Sequence, residues 1–166
     1  MDIQPAATGV IPDLGTIHLI DEAATLDFGS KLAKFTRGRG IIYIEGDLGA
    51  GKTTLCRGIL HGLGHTGAVK SPTFTLVEPY ELGCLRIYHI DLYRLSDAKE
   101  LEYVGIDDYF SIDGLCLVEW PEKGAGYLPI DDLWIRLKVT DKGRLLTWRG
   151  DSSRGEEIAR NLSNCI

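Results

Sequence analysis

Nine consecutive residues, 46–54, read GDLGAGKTT and satisfy the pattern G-x-x-x-x-G-K-[ST]. The five residues before them, 41–45, form a short apolar run of the kind that makes a buried strand. Leu55, Ile59 and Leu63 follow at a spacing of four and form one stripe of a helix. The feature therefore predicts a strand, a glycine loop and a helix in succession, which is the local structure of a phosphate-binding loop.

Each residue type in this loop suits the binding of a phosphate group. Gly49 and Gly51 can adopt positive φ and carry no Cβ, so consecutive backbone N–H groups can converge on one oxyanion. The N-terminus of the following helix adds partial positive charge. We expect the Lys52 ammonium to reach the β- and γ-phosphates and the Thr53 hydroxyl to bind Mg²⁺. The predicted cofactor-binding residues of the loop are Gly49, Ala50, Gly51, Lys52, Thr53 and Thr54.

Length and composition predict one globular domain. The chain has 166 residues, of which 44% are hydrophobic, and we predict a loose tail over residues 1–14 and a single domain over residues 15–166. No apolar run of about 18 residues and no secretion signal is found, so we expect a cytoplasmic protein without a membrane segment. The net charge of −6 argues against a large footprint on a phosphate backbone, so another protein is expected to hold any nucleic acid.

The cysteines form no C-x-x-C pair. They are widely spaced, at Cys56, Cys84, Cys116 and Cys165. We expect reduced thiols, as in cytosolic proteins. A structural zinc site that combines them with His61 and His65 is disfavoured, because the spacing does not match that of zinc-binding motifs.

The rest of the pattern predicts an α/β fold. Helices are expected over residues 21–35, 98–103 and 156–162, and strands over residues 16–20, 74–77, 85–90, 115–118, 133–139 and 144–148. The solid apolar run 115–118 is typical of a strand buried on both faces of a parallel sheet. Residues 81–83 and 141–143 predict hairpin turns. We predict a P-loop NTPase-type three-layer domain, with a mainly parallel central sheet and antiparallel hairpins alongside.

Two carboxylates follow predicted strands, where a phosphate loop needs an acid. Glu119 comes after the apolar run 115–118, and Asp91 comes after the alternating run 85–90. Such an acid holds Mg²⁺, directly or through water, and orients the attacking water. The apolar context makes Glu119 the better Walker-B-type acid and Asp91 the second. The alternative for each is a solvated carboxylate at the end of a strand.

Two other polar residues allow more than one interpretation. His89 is more consistent with a packed strand residue than with a base. Thr73 is either a sensor of the γ-phosphate and Mg²⁺ or part of a turn restrained by Pro72, and spacing alone does not separate these interpretations. Glu45 and Asp47 are assigned no chemistry.

Four separate stretches of the chain occur together in one known family. They are GDLGAGKTT at 46–54, SPTFTLV at 71–77, HIDLYRL at 89–95 and EWPEKG at 119–124. In order and spacing they resemble the bacterial TsaE family, the ATPase component of tRNA threonylcarbamoyladenosine biosynthesis. The resemblance extends over about residues 15–140. It implies that ATP and Mg²⁺ are the cofactors.

The resemblance also implies roles for individual residues. Under it, the catalytic residues are Lys52, Asp91 and Glu119, and the metal ligands are Thr53, Asp91 and Glu119. Trp120 is expected beside the nucleotide, the alternative being a large side chain that covers the sheet edge. Ser71 and Thr73 are expected to belong to a switch-like segment that binds the cofactor.

Partners are implied in the same way. TsaE-like proteins act with a TsaB–TsaD pair, which transfers the threonylcarbamoyl group to the adenosine beside the anticodon of tRNA. The chain would then be an ATPase that supports this transfer without performing it, and it would meet tRNA only through its partners. One departure from the family pattern is Glu78-Pro79-Tyr80, where Pro79 lacks a backbone N–H and predicts an edge strand or a turn.

Two other functions are consistent with a phosphate loop. A small-molecule or nucleotide kinase would need an arginine-rich lid over its acceptor, and no arginine cluster lies between the motifs. A GTP switch would need a guanine-reading Asn-Lys-x-Asp motif, which the Thr-Asp-Lys sequence at 140–142 does not supply. A slow ATPase that depends on partners is favoured, and Arg94 is the nearest candidate in the chain for an arginine finger.

Overall fold

A seven-stranded sheet runs through the part of the chain that the computed structural model describes, residues 14–166. The strands are β1 (Leu14–Leu19), β2 (Gly40–Gly46), β3 (Val77–Leu82), β4 (Leu85–Asp91), β5 (Leu115–Glu119), β6 (Leu133–Thr140) and β7 (Gly143–Gly150). The helices are α1 (Glu22–Thr36), α2 (Lys52–Gly62), α3 (Glu100–Tyr103), α4 (Ile106–Phe110) and α5 (Ser153–Cys165). The predicted tail over residues 1–14 lies outside the described residues, except for Leu14, the first residue of β1.

The strands follow one another across the sheet in the order β1-β7-β6-β2-β5-β4-β3. The central strands β6, β2, β5 and β4 run parallel, whereas β7, β1 and β3 pair antiparallel with their neighbours. The predicted α/β fold, with a mainly parallel centre and antiparallel hairpins alongside, is confirmed. Pro79 lies in the edge strand β3, where a residue without an N–H costs no ladder hydrogen bond on the open side.

The alternation along β5 shows how the sheet separates two cores. Leu115 and Leu117 pack with buried residues of α1, α2 and α5 on one face. Cys116 and Val118 pack with Leu101 of α3 and Ile106 of α4 on the other. All five residues of β5 are buried, because helices cover both faces of a parallel sheet. The result is the predicted three-layer arrangement.

The segment before β3 differs from the prediction. The strand expected over residues 74–77 is wrong, because only Val77 is extended. Leu76 has φ 68°, and its N–H donates to the carbonyl of Pro72 at 2.8 Å. This hydrogen bond closes a turn and outweighs the strand preference of the apolar and β-branched residues around it. Helix α3 begins at Glu100, after the predicted 98, and α4 was not predicted at all.

Capping side chains set the starts of the longer helices. Asp21 accepts a hydrogen bond from the N–H of Ala24 at 2.8 Å and caps α1, within the helix predicted over residues 21–35. Ser152 accepts from the N–H of Gly155 at 3.0 Å, and α5 therefore starts earlier than the predicted residue 156. Over residues 14–166, none of the helices has the length and apolar character needed to cross a membrane.

Candidate functional site

The glycine loop joins the end of β2 to the start of α2. Gly49 and Gly51 have φ values of 80° and 103°, which residues other than glycine rarely adopt. Gly51 is the N-cap of α2 and supplies no side-chain hydrogen bond to the helix. The first N–H groups of α2 are therefore left without a capping side chain, as they are in helices that bind phosphate.

Lys52 is the first residue of α2 and is nearly buried, with 5% of its surface exposed. Its ammonium donates to the carbonyls of Gly46 and Asp47 at 2.6 and 2.8 Å. It also lies 4.3 Å from the ring centre of Trp120, within range of a cation–π interaction. Burial lowers the pKa of Lys52, and the nearby carboxylates of Glu119 and Asp91 oppose this shift. The ammonium thus points into the loop that would surround a phosphate.

Glu119, the last residue of β5, is held by two regular elements. The hydroxyl of Thr53, on α2, donates to its Oε1 and Oε2 at 3.1 and 3.2 Å. Nε2 of His89, on β4, lies 2.5 Å from Oε2. Only 2% of Glu119 is exposed, so both contacts are shielded from water.

Asp91, the last residue of β4, is held mainly by the connection between α2 and β3. Its Oδ2 accepts hydrogen bonds from the hydroxyls of Ser71 at 2.8 Å and Thr73 at 3.2 Å. Its Oδ1 accepts from the N–H of Tyr93 at 2.9 Å. The residues of the switch-like segment are therefore attached directly to one of the predicted acids.

The register of the sheet explains why the two acids meet. Asp91 pairs with Glu119 in the parallel ladder between β4 and β5, and His89 pairs with Leu117 two residues earlier. Because strand side chains alternate between faces, His89 and Asp91 share the face of Leu117 and Glu119. That face is covered by α2, which carries Lys52 and Thr53.

A cavity of about 270 Å³ lies at this end of the sheet. It is lined by Leu48, Gly49, Gly51, Lys52, Thr53, Thr54, Ser71, Thr73, Asp91, Tyr93, Glu119 and Trp120. The structure thus brings together every predicted site residue except Ala50, whose side chain is buried in the core. A larger groove of about 470 Å³, between the ends of α1 and α5, contains none of them.

Four residues at this site have no predicted role in it, and two of them, Leu48 and Tyr93, line the cavity. His89, predicted as a packed strand residue, is fully buried and also contacts Glu119. Its position two residues before Asp91 on one strand was the available signal. Arg144 of β7 donates to the carbonyls of Ala50 and Gly49 at 2.8 and 3.2 Å, and no local pattern marks it.

Arg94, the arginine considered as a finger, points elsewhere. Its guanidinium lies 4.0 Å from the ring centre of Phe74. Phe74 is 84% exposed, so the pair lies at the surface. Neither residue lines the cavity.

The donor atoms of the cavity fit Mg²⁺. The Thr53 hydroxyl and the carboxylates of Asp91 and Glu119 offer oxygen ligands, which this cation prefers. In residues 14–166, His89 and Glu119 also form a group with Cys56, in which the ligand atoms lie within 4.8 Å of one another. Burial raises the pKa of the Cys56 thiol well above its ordinary value, which opposes metal binding there. The zinc set considered from the sequence is not assembled among these residues.

Comparison with known proteins identifies the family. A sequence model of the family described as "Threonylcarbamoyl adenosine biosynthesis protein TsaE" matches residues 19–146. The tRNA threonylcarbamoyladenosine biosynthesis protein TsaE of Haemophilus influenzae is 47% identical over 154 residues, 90% of this chain and 98% of that protein. The protein of the same name from Bacillus subtilis is 42% identical over 132 residues, 79% of this chain and 82% of that protein.

A solved structure agrees with the sequence comparisons. The crystal structure of Bacillus subtilis YdiB matches this chain with a TM-score of 0.78 at 33% sequence identity. The match covers 92% of this chain and 95% of that one. The family model covers most of the chain, and the two relatives cover 90% and 79% of it at 47% and 42% identity. The chain therefore belongs to the TsaE family.

Proposed function

We propose that this protein is a cytoplasmic, Mg²⁺-dependent ATPase that supports threonylcarbamoylation of the tRNA adenosine beside the anticodon. It would act with a TsaB–TsaD complex and would not perform the transfer itself. One observation carries the proposal: the ammonium of Lys52, the hydroxyl of Thr53 and the carboxylates of Asp91 and Glu119 line one cavity beside a phosphate loop. The names of the relatives support the link to tRNA modification.

The loop and Lys52 bind the polyphosphate in this proposal. Backbone N–H groups at the start of α2 point at the phosphate oxygens, and Lys52 exchanges the carbonyls of Gly46 and Asp47 for the β- and γ-phosphates. The negative charge of the nucleotide favours the ammonium form of a lysine whose pKa burial has lowered. Thr54 and Trp120, which also line the cavity, border the bound nucleotide.

The two acids position the remaining reactants. Thr53, Asp91 and Glu119 would hold Mg²⁺, which neutralises charge on the transferred phosphoryl group when bound. The carboxylates also accept hydrogen bonds from the attacking water and so orient it toward the γ-phosphate. Ser71 and Thr73, bonded to Asp91, connect this chemistry to the segment that precedes β3.

The arrangement of cations supports dependence on a partner. Among the residues lining the cavity, Lys52 is the one cationic side chain. Arg144 donates to the carbonyls of the loop and does not line this cavity, and Arg94 lies against Phe74. A cation supplied by another protein raises phosphoryl-transfer rates by roughly 10³–10⁵-fold. We therefore expect slow hydrolysis by the isolated chain.

The experiment is ATP turnover by the purified chain, alone and with a TsaB–TsaD pair from the same source. We expect a low rate that rises when the pair is added and that is lost in Lys52→Ala. Lys142→Ala, which removes an exposed lysine from the β6–β7 turn, is the matched control and should retain the full rate. A rate of tens per second without the pair would contradict partner dependence.

Two further outcomes test the pathway and the chemistry separately. No binding to the pair and no change of rate would leave an ATPase but remove its assignment to tRNA modification. Loss of ATP only when a small acceptor molecule is added would replace the ATPase with a kinase.

A further inference from the structure

His89 is a polar side chain in the interior of the protein. It is fully buried in β4, between Ile87 and the site acid Asp91 on the same strand face. Its Nδ1 has no hydrogen-bond partner among residues 14–166. Burying a polar ring in this way costs free energy unless its other nitrogen makes a favourable interaction.

That interaction is with Glu119. The 2.5 Å contact joins Nε2 of His89 to Oε2 of the carboxylate. A carboxylate only accepts hydrogen bonds, so Nε2 carries the hydrogen and donates it. The contact is shielded from water, because the His89 side chain is fully buried and that of Glu119 is 3% exposed. Hydrogen bonds to a charged acceptor in such surroundings are the strong ones.

The contact also constrains which oxygen of Glu119 faces the cavity. His89 occupies Oε2 from the core side of the sheet, between β4 and β5. The Thr53 hydroxyl, at the start of α2, bonds both oxygens from the loop side. With Oε2 held by a buried ring on a strand, the carboxylate cannot rotate freely, and Oε1 is the oxygen left for a cation or a water.

We propose that His89 is a positioning residue that orients the Glu119 carboxylate for the ATPase reaction. The inference rests on the proposed function, since Glu119 is a metal ligand and a water-orienting acid only within it. His89 touches neither nucleotide nor metal and acts through Glu119. The competing interpretation is a histidine that merely fills the core.

Three substitutions separate these interpretations. In both glutamine and histidine, two atoms separate Cβ from the donor nitrogen Nε2, so His89→Gln can still donate to Glu119. The amide of asparagine is one atom shorter, so His89→Asn has the same chemistry without the reach. His89→Leu removes the donor and keeps an apolar side chain of moderate size.

The readouts are kcat and KM for ATP with the TsaB–TsaD pair present. We expect His89→Leu and His89→Asn to lower kcat by about 10–100-fold, as is typical for residues that orient a metal ligand. KM should change little, because the loop and Lys52 bind the phosphates. His89→Gln should stay within about 3-fold of the wild-type kcat, since it restores the hydrogen bond.

A binding measurement without turnover completes the test. The rise in melting temperature caused by ATP is measured for each variant in EDTA and in Mg²⁺. We expect all variants to keep the rise seen in EDTA, and the leucine and asparagine variants to lose the additional rise caused by Mg²⁺. The EDTA measurement also shows that each variant is folded and binds nucleotide.

The outcomes are distinct. A wild-type kcat in His89→Leu would overturn the positioning role while leaving the ATPase in place. A glutamine variant no better than the asparagine variant, with nucleotide stabilisation in EDTA also lost, would show a core-filling residue and overturn it as well. No turnover by the wild-type chain with the pair would overturn the proposed function and, with it, this inference.

Discussion

The two carboxylates at the site are equally buried but are held by different parts of the molecule. Glu119 is bonded to His89 in the centre of the sheet and to Thr53 on the phosphate-loop helix. Asp91 is bonded to Ser71 and Thr73, which lie in a connection that is neither helix nor strand. One acid is therefore attached to the core, and the other to a connecting segment that is partly exposed to solvent.

A site of this kind combines one acid that is held rigidly with one that can move. Partners in regular elements are restrained by packing on both sides, whereas a loop has few buried contacts to restrain it. We infer that Glu119 keeps its geometry when nucleotide is absent, and that Asp91 can change partners together with the segment that contains Ser71 and Thr73. Phe74, which directly follows Thr73, is 84% exposed.

The largest expected effect sets the scale for comparing the acids. Lys52→Ala should lower ATP turnover by at least about 10²–10³-fold, because a buried cation aimed at the transferred phosphate has no substitute among the residues lining the cavity. Turnover and ATP affinity are the measurements. Lys52→Arg, which keeps the charge but changes its shape and reach, should remain strongly impaired. Unchanged affinity and rate in the alanine variant would remove Lys52 from the mechanism.

The next effect compares the acids directly. Glu119→Ala and Asp91→Ala should each lower Mg²⁺-dependent turnover by at least about 100-fold, because each removes an oxygen ligand, whereas loss of a residue that only orients a ligand costs about 10–100-fold. Their melting temperatures should differ. Glu119→Ala leaves buried His89 without a partner, at a cost of about 1–3 kcal/mol, whereas Ser71 is exposed and can bind water when Asp91 is lost.

Relief of repulsion between the two carboxylates is common to both variants, so it cancels in this comparison. A difference of roughly 2–4 °C in melting temperature per kcal/mol is expected for a domain of this size. Equal melting temperatures for Glu119→Ala and Asp91→Ala would contradict the inference that Glu119 is held by the core and Asp91 by a loop. Full activity in either variant would mean that the carboxylate it lacks has no role in the reaction and is only a polar group at the end of a strand.

A smaller effect tests the link between Asp91 and the loop. Ser71→Ala and Thr73→Val should each lower turnover by about 2–10-fold, the range expected for loss of one hydrogen bond to a positioned carboxylate. Stability should change little, because Ser71 is exposed and Thr73 is half-buried. Thr66→Ala, an exposed threonine in the same connection, is the matched control and should have wild-type turnover. Equal turnover in all three variants would show that the hydroxyls do not position Asp91.

The smallest effect on turnover is expected from a buried acid outside the site. Burial, and then the neighbouring carboxylate of Asp151, raise the pKa of Asp131 to about 7. Because the folded state then binds more protons than the unfolded state between about pH 4 and pH 7, the free energy of unfolding falls as pH rises through that window. Asp131→Asn should remove this fall and leave turnover unchanged.

The measurement is the free energy of unfolding of Asp131→Asn and the wild type at several pH values from 4 to 8. The variant should gain stability relative to the wild type as pH rises. Parallel curves would mean that the carboxylate of Asp131 does not titrate in this window. Loss of turnover in Asp131→Asn would mean that a change at a buried acid outside the cavity also affects the site. The losses of turnover in the Glu119 and Asp91 variants would then not be specific to the site.

Much of the site could be predicted because its signals are local. The glycine loop, the strand before it and the helix after it follow from torsional freedom and from the periodicity of neighbouring residues. Both acids were found because each directly follows an apolar or alternating run. The strand expected over residues 74–77 failed for the opposite reason, since a backbone hydrogen bond from Leu76 to Pro72 overrode a local preference.

The order of the main elements, the phosphate loop and the chemical type of each site residue can be read from the sequence, because these depend on neighbours along the chain. The pairing of Asp91 with Glu119, the contact of His89 with one oxygen of Glu119, and the hydrogen bonds from Arg144 to the loop carbonyls are evident only in the folded protein. Those contacts join residues 28–95 positions apart. Their geometry depends on strand register and on packing across the whole sheet, which no short window of sequence contains.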